Sequence, residues 1–250
     1  MAFFKKGYGC FLLALVGMAL SLAACQKESG KRNIESYYFP LNKLTEGLVY
    51  EYQPVEETQD PPVYWYYKSM KQGSSQFLLG MSYDPAFSPD QFVREERVDN
   101  GMLLVDFFTY ETDTTGKKQQ VQAKIDAANV FPFEVKEPYG VLLSSLHWSP
   151  LGDSATITLV RNRQFDGDTA IVFKDKTLPA VKFNTRELVD QEVKGHLELE
   201  FGGTEVYAKD IGLIYFRKNI DGWLMQYRLA DIYSMEDFEK KFKAKLDSPR

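Results

Sequence analysis

The chain has 250 residues, of which 44% are hydrophobic, 26% charged and 14% aromatic. This is globular composition, and it excludes disorder, collagen-like repeats and a polytopic membrane protein. A formal net charge of -5, with no clustered basic patch, excludes a nucleic-acid-binding surface as well.

The first feature in chain order is an apolar run over residues 11–20, preceded by Lys5 and Lys6. It is shorter than the roughly 18–20 residues a spanning helix needs and reads as the core of a signal peptide occupying residues 1–24. The run ends in Leu22-Ala23-Ala24-Cys25, which resembles the lipobox of bacterial lipoproteins. That resemblance implies that Cys25 becomes the first mature residue and carries palmitate-type acyl chains. Each buried methylene contributes about 0.8 kcal/mol, so two or more chains hold a protein at a membrane stably. Cys10 falls in the discarded segment, leaving no cysteine for a disulfide, a metal or a nucleophile. The same removal takes two lysines and no acid, so attachment rests on lipid and not on attraction to an anionic leaflet.

Gln26-Lys27-Glu28-Ser29 resembles the surface-export signal of Bacteroidota lipoproteins, a Gln-Lys pair followed by acidic residues; Glu28 matches and Ser29 departs. The resemblance implies the outer membrane, with the cell surface as the favoured face and the periplasmic face as the alternative. The membrane is then a partner through the lipid anchor, and the further partner is an unidentified protein, glycan or lipid. Residues 25–36 read as the lipidated cysteine and a polar tether, and 37–250 as a single β-rich domain.

From Leu44 onward, short apolar or alternating runs are cut by turn residues, the sequence signature of antiparallel sheet. Strands are predicted at 48–53, 63–70, 76–82, 91–99, 102–111, 119–125, 154–163, 170–174, 180–189, 194–201, 205–208, 213–220 and 223–232. Gly73, Gly116, Asp166-Gly167-Asp168 and Gly202-Gly203 are read as turns that use positive φ.

Two hairpins carry a register. Asp221-Gly222 favours a type I′ turn, which sets Ile220 opposite Trp223, Lys218 opposite Met225, Phe216 opposite Tyr227 and Ile214 opposite Leu229. Seven of these eight are apolar, so they form the buried face. Asn100-Gly101 is read as the second turn, placing Val98 opposite Leu103, Glu96 opposite Val105, Arg94 opposite Phe107 and Phe92 opposite Thr109. Arg94 and Glu96 then share the more apolar face, where they must pair, reach the rim or line a wet cavity. Ser234 and Asp237 form a capping box for one helix, with Met235, Phe238, Phe242 and Leu246 as its apolar stripe and Lys240, Lys241, Lys243 and Lys245 as a solvated face.

The chemistry-bearing residues are sparse. His147 and His196 belong to no zinc pattern, and no G-x-S-x-G elbow, helix-initial S-x-x-K or phosphate cradle occurs. The sequence therefore predicts no catalytic, cofactor-binding or metal-ligating residue. Tyr64-Trp65-Tyr66-Tyr67 puts aromatic rings on both faces of one strand. These four residues, with Arg94 and Glu96, are the candidate ligand or partner contacts.

The stretch Val206-Tyr207-Ala208-Lys209-Asp210-Ile211-Gly212-Leu213-Ile214-Tyr215 resembles a Tyr-Ala-Lys-Gly-Val-Gly-Leu-Val segment of uncharacterised β-rich envelope lipoproteins, Asp210 standing where that segment has its first glycine. The resemblance implies an open or half-closed antiparallel barrel like that of the outer-membrane lipoprotein carriers. Three functions follow as alternatives: a non-enzymatic binding or interaction module, a carrier of an apolar or lipid ligand in the half-barrel, and a hydrolase of envelope polymers. A hollow and its lining separate them: apolar for a carrier, clustered carboxylates for a hydrolase, nothing concave for an interaction module.

Overall fold

The computed structural model describes residues 30–55 and 60–246. The expected signal segment, Cys25 and the motif Gln26-Lys27-Glu28 lie outside the described residues. In chain order the strands are β1 (Lys31–Asn33), β2 (Leu48–Pro54), β3 (Val63–Gln72), β4 (Ser75–Tyr83) and β5 (Pro89–Val98). Next come β6 (Gly101–Thr112), β7 (Lys118–Gln122), β8 (Lys124–Pro132), β9 (Glu134–Lys136) and β10 (Val141–Trp148). The last five are β11 (Thr156–Phe173), β12 (Lys176–Glu192), β13 (His196–Ala208), β14 (Gly212–Ile220) and β15 (Trp223–Ser234), followed by the helix α1 (Met235–Leu246).

Among the described residues, twelve strands close into one antiparallel ring in the order β5-β4-β3-β2-β15-β14-β13-β12-β11-β10-β8-β6, with β6 pairing back to β5. The mainly β, antiparallel fold with a C-terminal helix is the one the sequence predicts, and the barrel is closed. Its seam is short: β6 and β8 share only Gly101↔Pro132, Met102↔Phe131 and Leu103↔Asn129, after which β6 turns to β7. Gly101 permits that approach, because a Cβ there would lie 2.4 Å from the Phe131 carbonyl oxygen.

The final hairpin has the predicted turn, with φ of 49° at Asp221 and 85° at Gly222, and the predicted pairs Ile220↔Trp223, Lys218↔Met225 and Phe216↔Tyr227. The ladder ends before Ile214. Other readings need correction. Asp166-Gly167-Asp168 is a bulge inside the 18-residue β11, not a turn; the chain reverses at Lys174 and Asp175, both at positive φ. Gly202 and Gly203 lie inside β13 without positive φ; a Cβ on Gly203 would meet the Arg217 carbonyl oxygen at 2.4 Å. Strands β9 and β10 were not predicted, and 119–125 is two strands.

The β5–β6 hairpin turns one residue earlier than expected, at Asp99-Asn100, with Val98↔Gly101 and Glu96↔Leu103. A bulge between Arg94 and Glu95 then brings Arg94 opposite Asp106. Because that bulge breaks the two-residue period, Met102, Leu104 and Phe107 are the buried positions of β6, and Arg97, Glu95 and Val93 are their respective partners on β5. Arg94 and Glu96 consequently lie on the opposite face from the one assigned. Arg94 pairs with Asp106 at 2.6 Å over the Phe77 ring, and Glu96 accepts a hydrogen bond from Ser75 Oγ at 2.7 Å.

The segment before β2, expected as tether as far as residue 36, is packed structure from Ile34 onward. Ile34 and Leu44 have no exposed surface, and Tyr38, Phe39 and Leu41 join them in the main core with Tyr50, Tyr67, Phe131, Phe183 and Tyr207. This segment plugs the barrel end where β13 turns into β14. There Asp210 N–H donates to the Ser36 carbonyl, and the Phe39 ring covers Gly212. Asp210 adopts φ 62°, a conformation Asp tolerates better than most residues, which accounts for an aspartate where the resembling segment has glycine.

Helix α1 packs outside the barrel. Ser234 Oγ accepts from the Asp237 N–H at 3.1 Å and donates to its carboxylate at 2.7 Å, the predicted capping box. Phe238 and Phe242 pack with Tyr64 and Phe87. Lys241, expected on a solvated face, instead reaches the buried Glu51 carboxylate at 3.1 Å, which also accepts from Tyr233 at 2.6 Å. The side chain of Leu246 lies outside the described ones.

Candidate functional site

Among the described residues, a closed ring with one end plugged leaves a lumen that reaches the other end. The hollow measures about 520 Å³, extends to Pro61–Val63 and Tyr83–Pro85, and joins a lobe of about 280 Å³ through shared walls at Val93, Glu95, Arg161 and Glu187. Strand alternation decides what lines it. On β3 the even and odd aromatics separate as predicted: Tyr64 and Tyr66 pack toward the helix, while Trp65 and Tyr67 face inward, stacked within 7° at 5.6 Å. Gly80 makes room for the stack, since a Cβ there would come within 3.0 Å of Tyr67 and 3.3 Å of Trp65.

Across the lumen, four consecutive strands place charge at inward positions. Arg161 on β11 sits directly opposite Glu187 on β12, and Nη2 donates to the carboxylate at 2.9 Å. Lys218 on β14 approaches the same carboxylate, at 3.1 Å from Oε1. It must cross β13 to do so, and the residue opposite it there is Gly203, which has no side chain to obstruct the reach. Arg163, two residues beyond Arg161, binds Glu205 of β13 from Nε at 2.8 Å and from Nη2 at 3.3 Å. Tyr207 donates to Glu205 at 3.0 Å, and Tyr38 of the plug donates to Glu95.

Electrostatics fix the states of these groups. Burial raises the Glu187 acid, but Arg161 and Lys218 outweigh it and hold its pKa down to about 2. For Glu205, burial likewise pushes up and Arg163 prevails, so the acid is lowered. Glu95 differs: burial dominates and its pKa is raised despite the Tyr38 hydroxyl and nearby Arg163. Burial and the neighbouring Arg161 lower Lys218. The result is a desolvated belt of ion pairs around the lumen, with aromatic and aliphatic walls on either side.

The belt was missed by sequence reasoning, although its signal was present. On β11 the inward series is Ile157, Leu159, Arg161, Arg163, Phe165, an apolar stripe interrupted twice by arginine. Lys218 stood out as the one charged member of its hairpin face. Of the sequence candidates, Trp65 and Tyr67 line the lumen, Tyr64 and Tyr66 lie beneath the helix, and Arg94 and Glu96 lie outside. His147 and His196 are on β10 and β13, each beside a carboxylate, Asp126 at 2.7 Å and Asp190 at 2.9 Å.

The fold and site define a closed antiparallel barrel with a plugged end, an open end and a charged belt between them. No protein-family model matches the chain, and no curated protein matches it. Two crystal structures are similar. One is described as a "putative lipoprotein" from Parabacteroides distasonis, with 12% identity, a TM-score of 0.47 and coverage of 78% of this chain and 97% of that one. The other is described as a "putative exported protein with YmcC-like fold" from Bacteroides fragilis, with 13% identity, a TM-score of 0.47 and coverage of 78% and 98%.

Proposed function

We propose that this protein is a lipid-anchored lipoprotein of the cell envelope, held at the outer membrane through Cys25, that binds a small ligand within its barrel without chemical conversion. The observation that carries the reading is the lumen of about 520 Å³, within the size range of small-molecule sites and walled by both apolar and polar groups. It favours a ligand-carrying barrel over a module that works only through its outer surface. A hydrolase needs carboxyl groups left for substrate, and here Glu187 and Glu205 are each engaged by cations. The lipobox and the export-like Gln26-Lys27-Glu28 support the anchor and a cell-surface position.

Two measurements test this. Native mass spectrometry of protein purified from membranes without organic extraction is expected to show a mass beyond the polypeptide and its Cys25 acyl chains. A bare mass, together with failure to bind fluorescent amphiphiles, rejects the lumen as a binding site. Cys25→Ser is expected to move the protein to the aqueous phase on detergent partitioning, and retention in the detergent phase rejects the anchor.

A further inference from the structure

The ion pairs of the belt are not equally complete. Arg163 is satisfied by both oxygens of Glu205 and by the Val130 carbonyl at 3.4 Å, and Glu205 also accepts from Tyr207. By contrast, Arg161 and Lys218 share the single carboxylate of Glu187. Arg161 Nε and Glu187 Oε1 are both buried and neither makes a hydrogen bond, although Lys218 Nζ lies 3.1 Å from that oxygen. Two cations on one anion leave a local excess of positive charge and an unused guanidinium donor, in a place where water competes poorly. The lumen as a whole is not cationic, since Asp84, Asp90 and Glu95 line it along with Arg217; the two-to-one arrangement is confined to Arg161, Lys218 and Glu187. At the rim, Asp84 is occupied by Lys118 and by the backbone N–H groups of Ala86 and Ser88.

Toward the open end the walls become apolar. Past Arg161 and Glu187, the same inward faces carry Leu159, Val189 and Phe201 in the smaller lobe. Strand alternation continues this face along β13 to Leu199 and Leu197, which are 40% and 69% exposed. Trp223, also facing inward across from Ile220, is 50% exposed. An inward-facing apolar strip left uncovered beside a cation pair is complementary to one ligand chemistry, an acid group joined to a hydrocarbon body.

We propose that the barrel binds an amphipathic organic acid, its anionic head on Arg161 and Lys218 and its hydrocarbon tail along the strip from Phe201 to Leu199 and Leu197. This assignment rests on the lumen being the binding site, and it names the ligand class. The head gains a donor in Arg161 Nε and the excess charge of the cation pair, while the tail covers surface that otherwise faces water.

The test uses the full chain carrying Cys25→Ser, titrated calorimetrically with decanoate, decyl phosphate, decanol and decyltrimethylammonium. Decanoate or decyl phosphate is expected to bind at least about tenfold more tightly than decanol, and the cationic amphiphile least tightly. Whichever acid binds better identifies the head as carboxylate or phosphate. Lys218→Met and Arg161→Lys, each checked for a native far-ultraviolet spectrum, are expected to weaken the acid and leave decanol unchanged; Leu199→Ser is expected to weaken both. Equal affinity for acid and alcohol, or acid affinity unaffected by both cation variants, overturns the acid assignment and leaves the lumen as a binding site. Failure of all four probes to bind overturns both.

Discussion

Arg163 on β11 reaches across β12 to grip both carboxylate oxygens of Glu205 on β13, at 2.8 and 3.3 Å, with both side chains at most 11% exposed. Such a pair returns little net stability compared with well-packed apolar residues, because each ion loses its hydration. Its removal by halves is another matter. Arg163→Met or Glu205→Gln strands one buried charge and is expected to cost about 3–5 kcal/mol in urea denaturation. The double substitution Arg163→Met/Glu205→Met is expected to recover much of that loss, and additive losses in the double-mutant cycle would show that the two groups act independently.

Acid sensitivity follows from Glu187. Its pKa falls from the usual 4.5 to about 2 in the folded protein, because Arg161 and Lys218 overcome the effect of burial. The unfolded chain thus takes up this proton at higher pH than the native one, so the stabilisation is complete above about 4.5 and disappears as pH falls toward about 2. Thermal melts across that window are expected to show a falling midpoint. In Glu187→Gln the contribution of this group to the slope is absent, and the midpoint is already lower at neutral pH because Arg161 and Lys218 have lost their shared counter-charge.

How much of this was legible in the sequence depended on whether a signal was local. The Asp221-Gly222 hairpin and the Ser234 capping box were readable because turn and cap chemistry act within a few residues. Period-two alternation identified most strands, yet it failed wherever a bulge reset the phase, as beside Arg94/Glu95, where Arg94 and Glu96 lie on the opposite face from the one assigned. Ring closure was not readable, since the three-pair seam between β6 and β8 depends on residues about thirty apart and on Gly101 tolerating a backbone contact. The plug was hidden for a similar reason. Ile34, Tyr38 and Phe39 carry no regular period, and only the lumen they enter explains their apolar character. The belt was the most instructive loss: its charges sit at the correct phase for burial on four strands, but their partners are assembled by the sheet.

The final hairpin separates backbone strain from side-chain burial. A side chain on Gly222 would meet nothing within 4 Å, yet its φ of 85° is one a β-branched residue strongly resists. Gly222→Val is therefore expected to cost about 1–3 kcal/mol through strain alone. Trp223, expected from sequence to sit on the buried face, is half exposed at the rim. Trp223→Ala is thus expected to cost less than the roughly 3–5 kcal/mol typical of a buried tryptophan. Chemical denaturation of the two variants checks the order, and a larger loss for Trp223→Ala would place that ring in the core.

Helix α1 is held to the barrel by two kinds of contact that mutation can tell apart. Phe238 is buried between Tyr64, Phe87 and Phe242, with ring centroids 5.4, 5.4 and 4.9 Å away. Beside it, Lys241 meets the Glu51 carboxylate, which is 6% exposed and also accepts from Tyr233. Phe238→Ala removes the apolar contact and is expected to cost about 3–5 kcal/mol. Lys241→Met keeps most of the hydrocarbon stem but leaves Glu51 with only the uncharged donors Tyr233 and Gln53, and the penalty for that carboxylate grows with its burial. Ser234→Ala, which removes only the cap, is expected to cost about 1 kcal/mol. Amide hydrogen exchange distinguishes the roles: Phe238→Ala should raise exchange in both the helix and the strands it covers, β2 and β3, whereas Ser234→Ala should raise it only in the first helical turn. Unchanged protection of β2 and β3 in Phe238→Ala would mean that the helix covers the barrel without stabilising it.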